Sequence, residues 1–236
     1  MSDYMVRYNG ITDKAMGCHA QVRPSISAPV RDVQIVSIPG RDASFYETEG
    51  NYSDIVIPVT FFFNTNDRSQ WGNQYRKIKH WILSNHEGEL RFSDDEDVHY
   101  KVLTTAITTV ERLSKKIGAV TAEFTCEGYT YMNSGDSIIE LASVIQNEYD
   151  LCHPLYTIQG TGECVLTVND KEFRVTVNGS VSIDTDKFIA YSIGTGTFVN
   201  TSVVGDYQDL WLQPGTNNTS ITSGFTCTLM PQWRCL

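Results

Sequence analysis

The 236-residue sequence is long enough for one large β domain or two modest ones, and its 41% hydrophobic and 11% aromatic content exclude a disordered chain. A net charge of −10, a pI near 4.9 and a single dense basic cluster at Arg76-Lys77-Lys79 argue against nucleic-acid and anionic-membrane partners. No stretch has signal-peptide character and no apolar run reaches the roughly 18 residues of a membrane span, so synthesis in a cytoplasm is the expectation. The scattered cysteines, Cys18, Cys126, Cys152, Cys164, Cys227 and Cys235, are then expected as free and mostly buried thiols.

Residues 5–9 predict a short first strand, and the closely spaced Pro24 and Pro29 an extended connection. Residues 35–63 follow as strand, long loop, strand. Pro39-Gly40 closes the first apolar run, and Gly50-Asn51 precedes the second. In that second run Ile55, Ile57, Val59, Phe61 and Phe63 share a face, while Pro58 requires an edge or a bulge. The charged, loop-borne Arg41-Asp42 pair is expected to lock the loop in preference to contacting a partner.

One long helix follows. Asp67 is the predicted N-cap, with Gln70 at capping-box spacing. Trp71, Tyr75, Ile78 and Ile82 form the apolar stripe with Trp81 beside it, and Gly88 is the predicted stop. A hairpin is predicted around residues 93–97 with a tip longer than a tight turn, then strands at 103–110 and 119–126.

Past Asn133-Ser134-Gly135-Asp136 the pattern changes to short β segments at 138–144, 155–159, 164–168, 173–177, 181–183, 188–193, 210–212 and 225–230. Asn169-Asp170 and Asn178-Gly179 are the predicted hairpin turns. The fold class is therefore mostly β in two domains. Residues 1–133 form a β-rich α+β domain with one helix and a hairpin, and residues 134–236 form an all-β sandwich.

Residue patterns that carry chemistry are missing. The acidic run 94–97 lacks the alternating ligands and central Gly of an EF-hand, and reads as a solvated tip. His19, His80, His86, His99 and His153 contain no zinc spacing. Cys152-His153 are neighbours without an orienting third group, and Asp184 and Asp186 around Thr185 read as a turn. Gly194-Thr195-Gly196 has no following helix to cradle phosphate. Neither a catalytic residue, a cofactor nor a metal site is expected.

Several pieces recur in one order along the chain: Arg7-Tyr8-Asn9-Gly10, Pro39-Gly40-Arg41-Asp42-Ala43, Gly50-Asn51-Tyr52-Ser53-Asp54-Ile55, Trp81-Ile82 and Phe124-Thr125-Cys126. Further on come Ile158-Gln159-Gly160, Ser182-Ile183-Asp184-Thr185, Leu212-Gln213-Pro214-Gly215-Thr216-Asn217 and a terminus Pro231-Gln232-Trp233-Arg234-Cys235-Leu236. This ordered set resembles the distal tail proteins (Dit family) of siphophages, with Ala43 where that family usually has Gly. The resemblance implies a belt domain (residues 1–133) that forms a homohexameric ring, single or stacked in pairs. It also implies a galectin-like β-sandwich (residues 134–236). Such a ring is the hub at the virion tail tip. It joins the major tail tube protein to a tail-associated (Tal-type) protein and to receptor-binding or baseplate proteins, DNA passes through its lumen, and it is not an enzyme. The motif residues Gly40, Arg41, Asp42, Tyr52, Trp81, Asp184, Pro214, Gly215 and Trp233 are the resulting assembly candidates. Two rival readings are a carbohydrate-binding module, with Trp211 as a platform, and a wall-degrading hydrolase using dispersed carboxylates.

Overall fold

Strand alternation and one amphipathic helix build the first of two units in the computed structural model, which describes residues 4–84 and 87–236. One unit runs to Thr130 and includes Leu236; the other is Tyr131–Cys235. The first contains β1 (Val6–Tyr8), β2 (Ile11–Thr12), β3 (His19–Ala20), β4 (Arg31–Val36), β5 (Phe45–Tyr52), β6 (Ile55–Asn64), α1 (Trp71–Leu83), β7 (Gly88–Phe92), β8 (Asp95–Glu111) and most of β9 (Ile117–Met132). Its main sheet has the order β2-β1-β7-β8-β9-β6-β3.

The register of β6 against β9 places Ile57 opposite Phe124, Val59 opposite Ala122 and Phe61 opposite Val120, all buried. Helix α1 lays Ile78, Trp81 and Ile82 on this core. Trp81 meets Tyr8 and Phe61 edge-on, the arrangement that ring quadrupoles favour. Pro58 sits where β6 faces no further strand, since β3 pairs only at Phe61 and Phe62. This is the edge position that a residue without an N–H requires.

Four expectations change in this unit. Residues 45–52, read as loop, form β5 and pair with β4 as a separate two-stranded sheet, because Phe45, Tyr46 and Tyr52 supply β-favouring side chains. Gly88 does not stop the helix. The helix ends at Leu83 with Ser84 as C-cap, and Gly88 opens β7, where a Cβ would lie 1.9 Å from Asn9 Oδ1. That close approach lets Asn9 accept the Glu89 N–H at 2.9 Å. The hairpin tip is tight, with Phe92 paired to Asp95, and Arg23 reaches both Asp94 and Asp95 from outside. The segments on either side of residue 103 are one 17-residue strand, β8. Asp67 does cap as expected, but it caps the 3-10 turn Arg68–Gln70 that leads into α1. It accepts the Ser69 N–H at 2.9 Å, which holds its carboxyl below the usual range.

The second unit contains β10 (Ile139–Glu140), β11 (Val144–Asn147), β12 (Leu155–Val168), β13 (Lys171–Asp184), β14 (Ile189–Ser192), β15 (Val203–Val204), β16 (Gly215–Ile221), β17 (Thr226–Met230) and β18 (Arg234–Cys235). The β12–β13 hairpin organises it. Asn169 and Asp170 both adopt positive φ in a two-residue turn between the paired Val168 and Lys171, as the sequence predicts. Asn178-Gly179 is not a turn. It lies inside β13, opposite Thr161 and Gly160, with Gly179 at φ 89°. Gly160 leaves room for the Phe225 ring, which a Cβ there would approach to 2.3 Å. The glycines kink the hairpin instead of closing it.

One half of β12 pairs with β17 and the other with β16, while β13 pairs with β14 and β15 in the same divided way. Tyr156, Ile158, Cys164, Leu166, Val168, Phe173, Val175, Val177, Val181 and Ile183 face the core on both sides of the kink. Residues 210–212, read as a strand, end a 3-10 turn and leave one bridge from Leu212 to Cys152.

All six cysteines are free. Burial pushes the thiols of Cys18, Cys126 and Cys227 up to about 12 and that of Cys164 up to about 11. A thiol whose pKa rises on folding stabilises the fold below its unfolded value. That contribution is lost as pH climbs through the folded value. Denaturant melts should therefore hold steady up to about pH 9 and lose stability between there and about pH 12. A constant midpoint across that window would contradict the buried thiols.

Candidate assembly surface

The β4–β5 hairpin stands outside both cores. Its register pairs Ile35 with Tyr46 and Val36 with Phe45, so it presents an apolar pair on each face. Ile35 is 64% and Tyr46 63% exposed. Two-stranded sheets of this kind are marginal alone in water, and apolar pairs open on both sides mark a surface meant to be covered.

The base of the hairpin is firmly held. Arg31 donates to the Tyr52 hydroxyl at 3.1 Å and its guanidinium lies over the Tyr52 ring. Val30 and Ser53 exchange hydrogen bonds, Ser53 N–H to Val30 O at 2.8 Å and Val30 N–H to Ser53 Oγ at 3.1 Å. Tyr52 also packs edge-on against Tyr129 of β9. Gly128 permits this seat, because a Cβ there would lie 2.7 Å from Ser53 O, a backbone atom that cannot swing aside. Gly128→Val should loosen the hairpin base, seen as faster amide exchange across residues 30–53 with little change in the rest of the unit.

The motif residues are dispersed. Gly40 takes φ 83° in the turn where Arg41 N–H meets Ile38 O at 3.1 Å. The side chains of Arg41 and Asp42 are exposed and form no ion pair or hydrogen bond among the described residues, so the expected loop lock is not made. Trp81 is core, and its indole N–H lies 3.4 Å from Tyr8 O. Asp184 caps a turn by accepting from Asp186 and Lys187 N–H groups. Trp233 packs on the second core beside Tyr149. Gly135 makes room for it, since a Cβ there would stand 2.2 Å from Trp233 N.

Pro214 is exposed and Gly215 takes φ 91°, but neither holds its loop. Asn217, fully buried, does so. Its Oδ1 accepts from Gln213 N–H and Asn169 Nδ2, and its Nδ2 donates to Gln213 O and Gly215 O. With four bonds and no exposure, Asn217→Ala should destabilise the second unit by about 2–3 kcal/mol in urea melts. Substitution of exposed Pro214 should cost less than about 0.5 kcal/mol.

Sequence reasoning also missed a cluster around His153. Arg234, nearly fully buried, donates from Nε to Leu151 O at 2.6 Å and from Nη2 to His153 Nε2 at 2.9 Å. Arginine can only donate, so Nε2 accepts and Nδ1 carries the hydrogen that faces Asp186 Oδ1 at 2.7 Å. Trp211 stacks on the His153 ring at 4.2 Å, meets Phe188 on another side and donates its N–H to Thr185 O. With a face and its donor already engaged, Trp211 is a packing residue rather than an open sugar platform. Beside these groups the Cys152 thiol is raised by burial and donates to Asp150 O at 3.1 Å, away from the His153 ring.

Residues 12–126 match the phage tail protein RIFT-related domain. No curated protein matches the chain. Among solved structures it is similar to the Dit protein of phage SPP1, described as a hub of the adsorption apparatus in phages infecting Gram-positive bacteria. Identity is 14%, 99% of each chain is covered and the TM-score is 0.72. It is similar as well to a chain of the phage P2 baseplate in its activated conformation with Ca, at 11% identity, 99% and 97% coverage and a TM-score of 0.55. A chain of the same baseplate with Sr gives 10%, 96% of each chain and 0.51. Residues 12–126 thus match the phage tail RIFT-related domain, and the chain shares the fold of a Dit protein over nearly all its length.

Proposed function

We propose that this chain is the distal tail hub subunit of a siphophage, six copies of which close into a ring at the virion tail tip. The first unit is its belt domain and the second a galectin-like sandwich. The ring joins the tail tube to a tail-associated protein and to receptor-binding or baseplate proteins. The observation that carries this reading is the β4–β5 hairpin, an apolar arm uncovered on both faces within the family's own domain. A subunit of a closed ring needs two different complementary faces, and such an arm supplies one of them. Exposed Arg41 and Asp42 at the hairpin's turn are then available to a neighbour.

Charge supports the same reading. Strands β6 and β9 contain no Lys or Arg, and the side of β9 facing away from the core carries Thr121, Glu123, Thr125 and Glu127. A surface of hydroxyls and carboxylates lets DNA pass without adhering.

Light scattering of the purified chain should give a mass of six subunits or a multiple, and negative-stain images should show six-fold rings. A single-chain mass at every concentration up to the millimolar range would overturn the proposal.

A further inference from the structure

The second face of the ring contact can be located. Strand β8 pairs with β7 only as far as Val102, and Thr105 then binds Ile82 O at the end of α1 through its side chain. Beyond that point, residues 106–111 have β9 on one side and no strand among the described residues on the other. A bare strand edge is a standing template for pairing, and folded proteins blunt it with proline, lysine or a bulge. The edge of β6 has Pro58. The β8 edge, Ala-Ile-Thr-Thr-Val-Glu, has no such device and no charge before Glu111.

We propose that this edge receives β4 of a second copy, adding the neighbour's hairpin to the main sheet; the inference rests on the ring reading above. The free segment of residues 106–111 matches the six residues of β4, whose outer side has no strand partner among the described residues, where β4 pairs with β5 alone. Antiparallel alignment sets Arg31 opposite Glu111 and Ile35 opposite Ile107, one opposite-charge and one apolar cross-strand pair. The parallel alternative sets Arg31 against Ala106 and Val36 against Glu111, leaving Arg31 and Glu111 unmatched, while Asp32 meets an apolar residue in either alignment. In the antiparallel register Val33 lies opposite Thr109 and Gln34 opposite Thr108. The contact is heterologous, joining a different surface on each copy, so it propagates around a ring instead of stopping at a dimer.

Full-length chains carrying Thr109→Cys are mixed with chains carrying Val33→Cys under mild oxidation. The expected product is a dimer linked between positions 33 and 109, located by peptide mass, that neither variant forms alone. Thr108→Pro and Thr109→Pro form the second arm. Backbone N–H groups alternate along a strand, so one of the two removes only the outward donor and leaves the β9 ladder intact. That variant should still melt as one cooperatively folded chain while its mass falls about sixfold, to one chain. If wild-type rings form but no 33–109 link appears and both proline variants still assemble, the strand-addition contact is wrong and the ring reading stands. A wild type that remains a single chain overturns both.

Discussion

Trp81→Ala should unfold the first unit at a temperature roughly 10–15 °C lower, a loss of about 4 kcal/mol. The indole is 3% exposed, meets Tyr8 and Phe61 edge-on and sits between α1 and the sheet. No neighbour can move into the gap without breaking the Ile57, Val59 and Phe61 alternation that fixes β6 against β9. Trp81→Phe keeps a ring and should recover more than half of the loss. Differential scanning calorimetry of the two variants decides the matter. A shift under about 3 °C for the alanine variant would mean that the helix is not packed as described.

Arg234→Met should cost the second unit about 3–5 kcal/mol. The side chain holds Leu151 O and His153 Nε2 together, and these lie far from it in sequence and inside a nearly water-free site. Methionine fills the volume but leaves both acceptors without a donor. Arg234→Lys should rescue little, because one ammonium cannot reproduce a fork that reaches a carbonyl and an imidazole at once. Urea melts followed by tryptophan fluorescence would report the loss through Trp211, which stacks on His153. Equal stability of the lysine variant and the wild type would show that the forked geometry is unimportant.

Much of the fold was legible because its signals are periodic. The Ile55-to-Phe63 alternation and the Trp71-to-Ile82 stripe each follow one spacing, and each forms the element that the spacing predicts. Asn169-Asp170 also turns where it should. Other expectations failed where tertiary context outweighed a local signal. Asn178-Gly179 has the composition of a turn, yet its strand continues because Gly160 and Thr161 pair across from it. Gly88 has the composition of a helix stop, yet its missing Cβ serves the approach of Asn9, which is 79 positions away in sequence. Strand β5 was hidden by Glu47, whose polarity suits a hairpin that has no core of its own.

The candidate assembly surface was partly visible. The segment from Ile35 to Phe63 stood out, but the polar residues that hold the second unit together, Asn217 and Arg234, were seen only as parts of longer motifs. Their importance comes from partners such as Asn169, Leu151 and His153, and no local pattern announces those.

The kinked β12–β13 hairpin has a consequence for how the second unit folds. Its two strands are joined by a two-residue turn, so their pairing needs little chain to be brought together and forms early. Because the bend at Gly160 and Gly179 is set by the same two strands, the curvature of the core exists before any distant strand arrives. Strands β14, β15, β16 and β17 then add to a template already bent to receive them. The low contact order of that first step reduces the time for which apolar strands stay bare and open to aggregation.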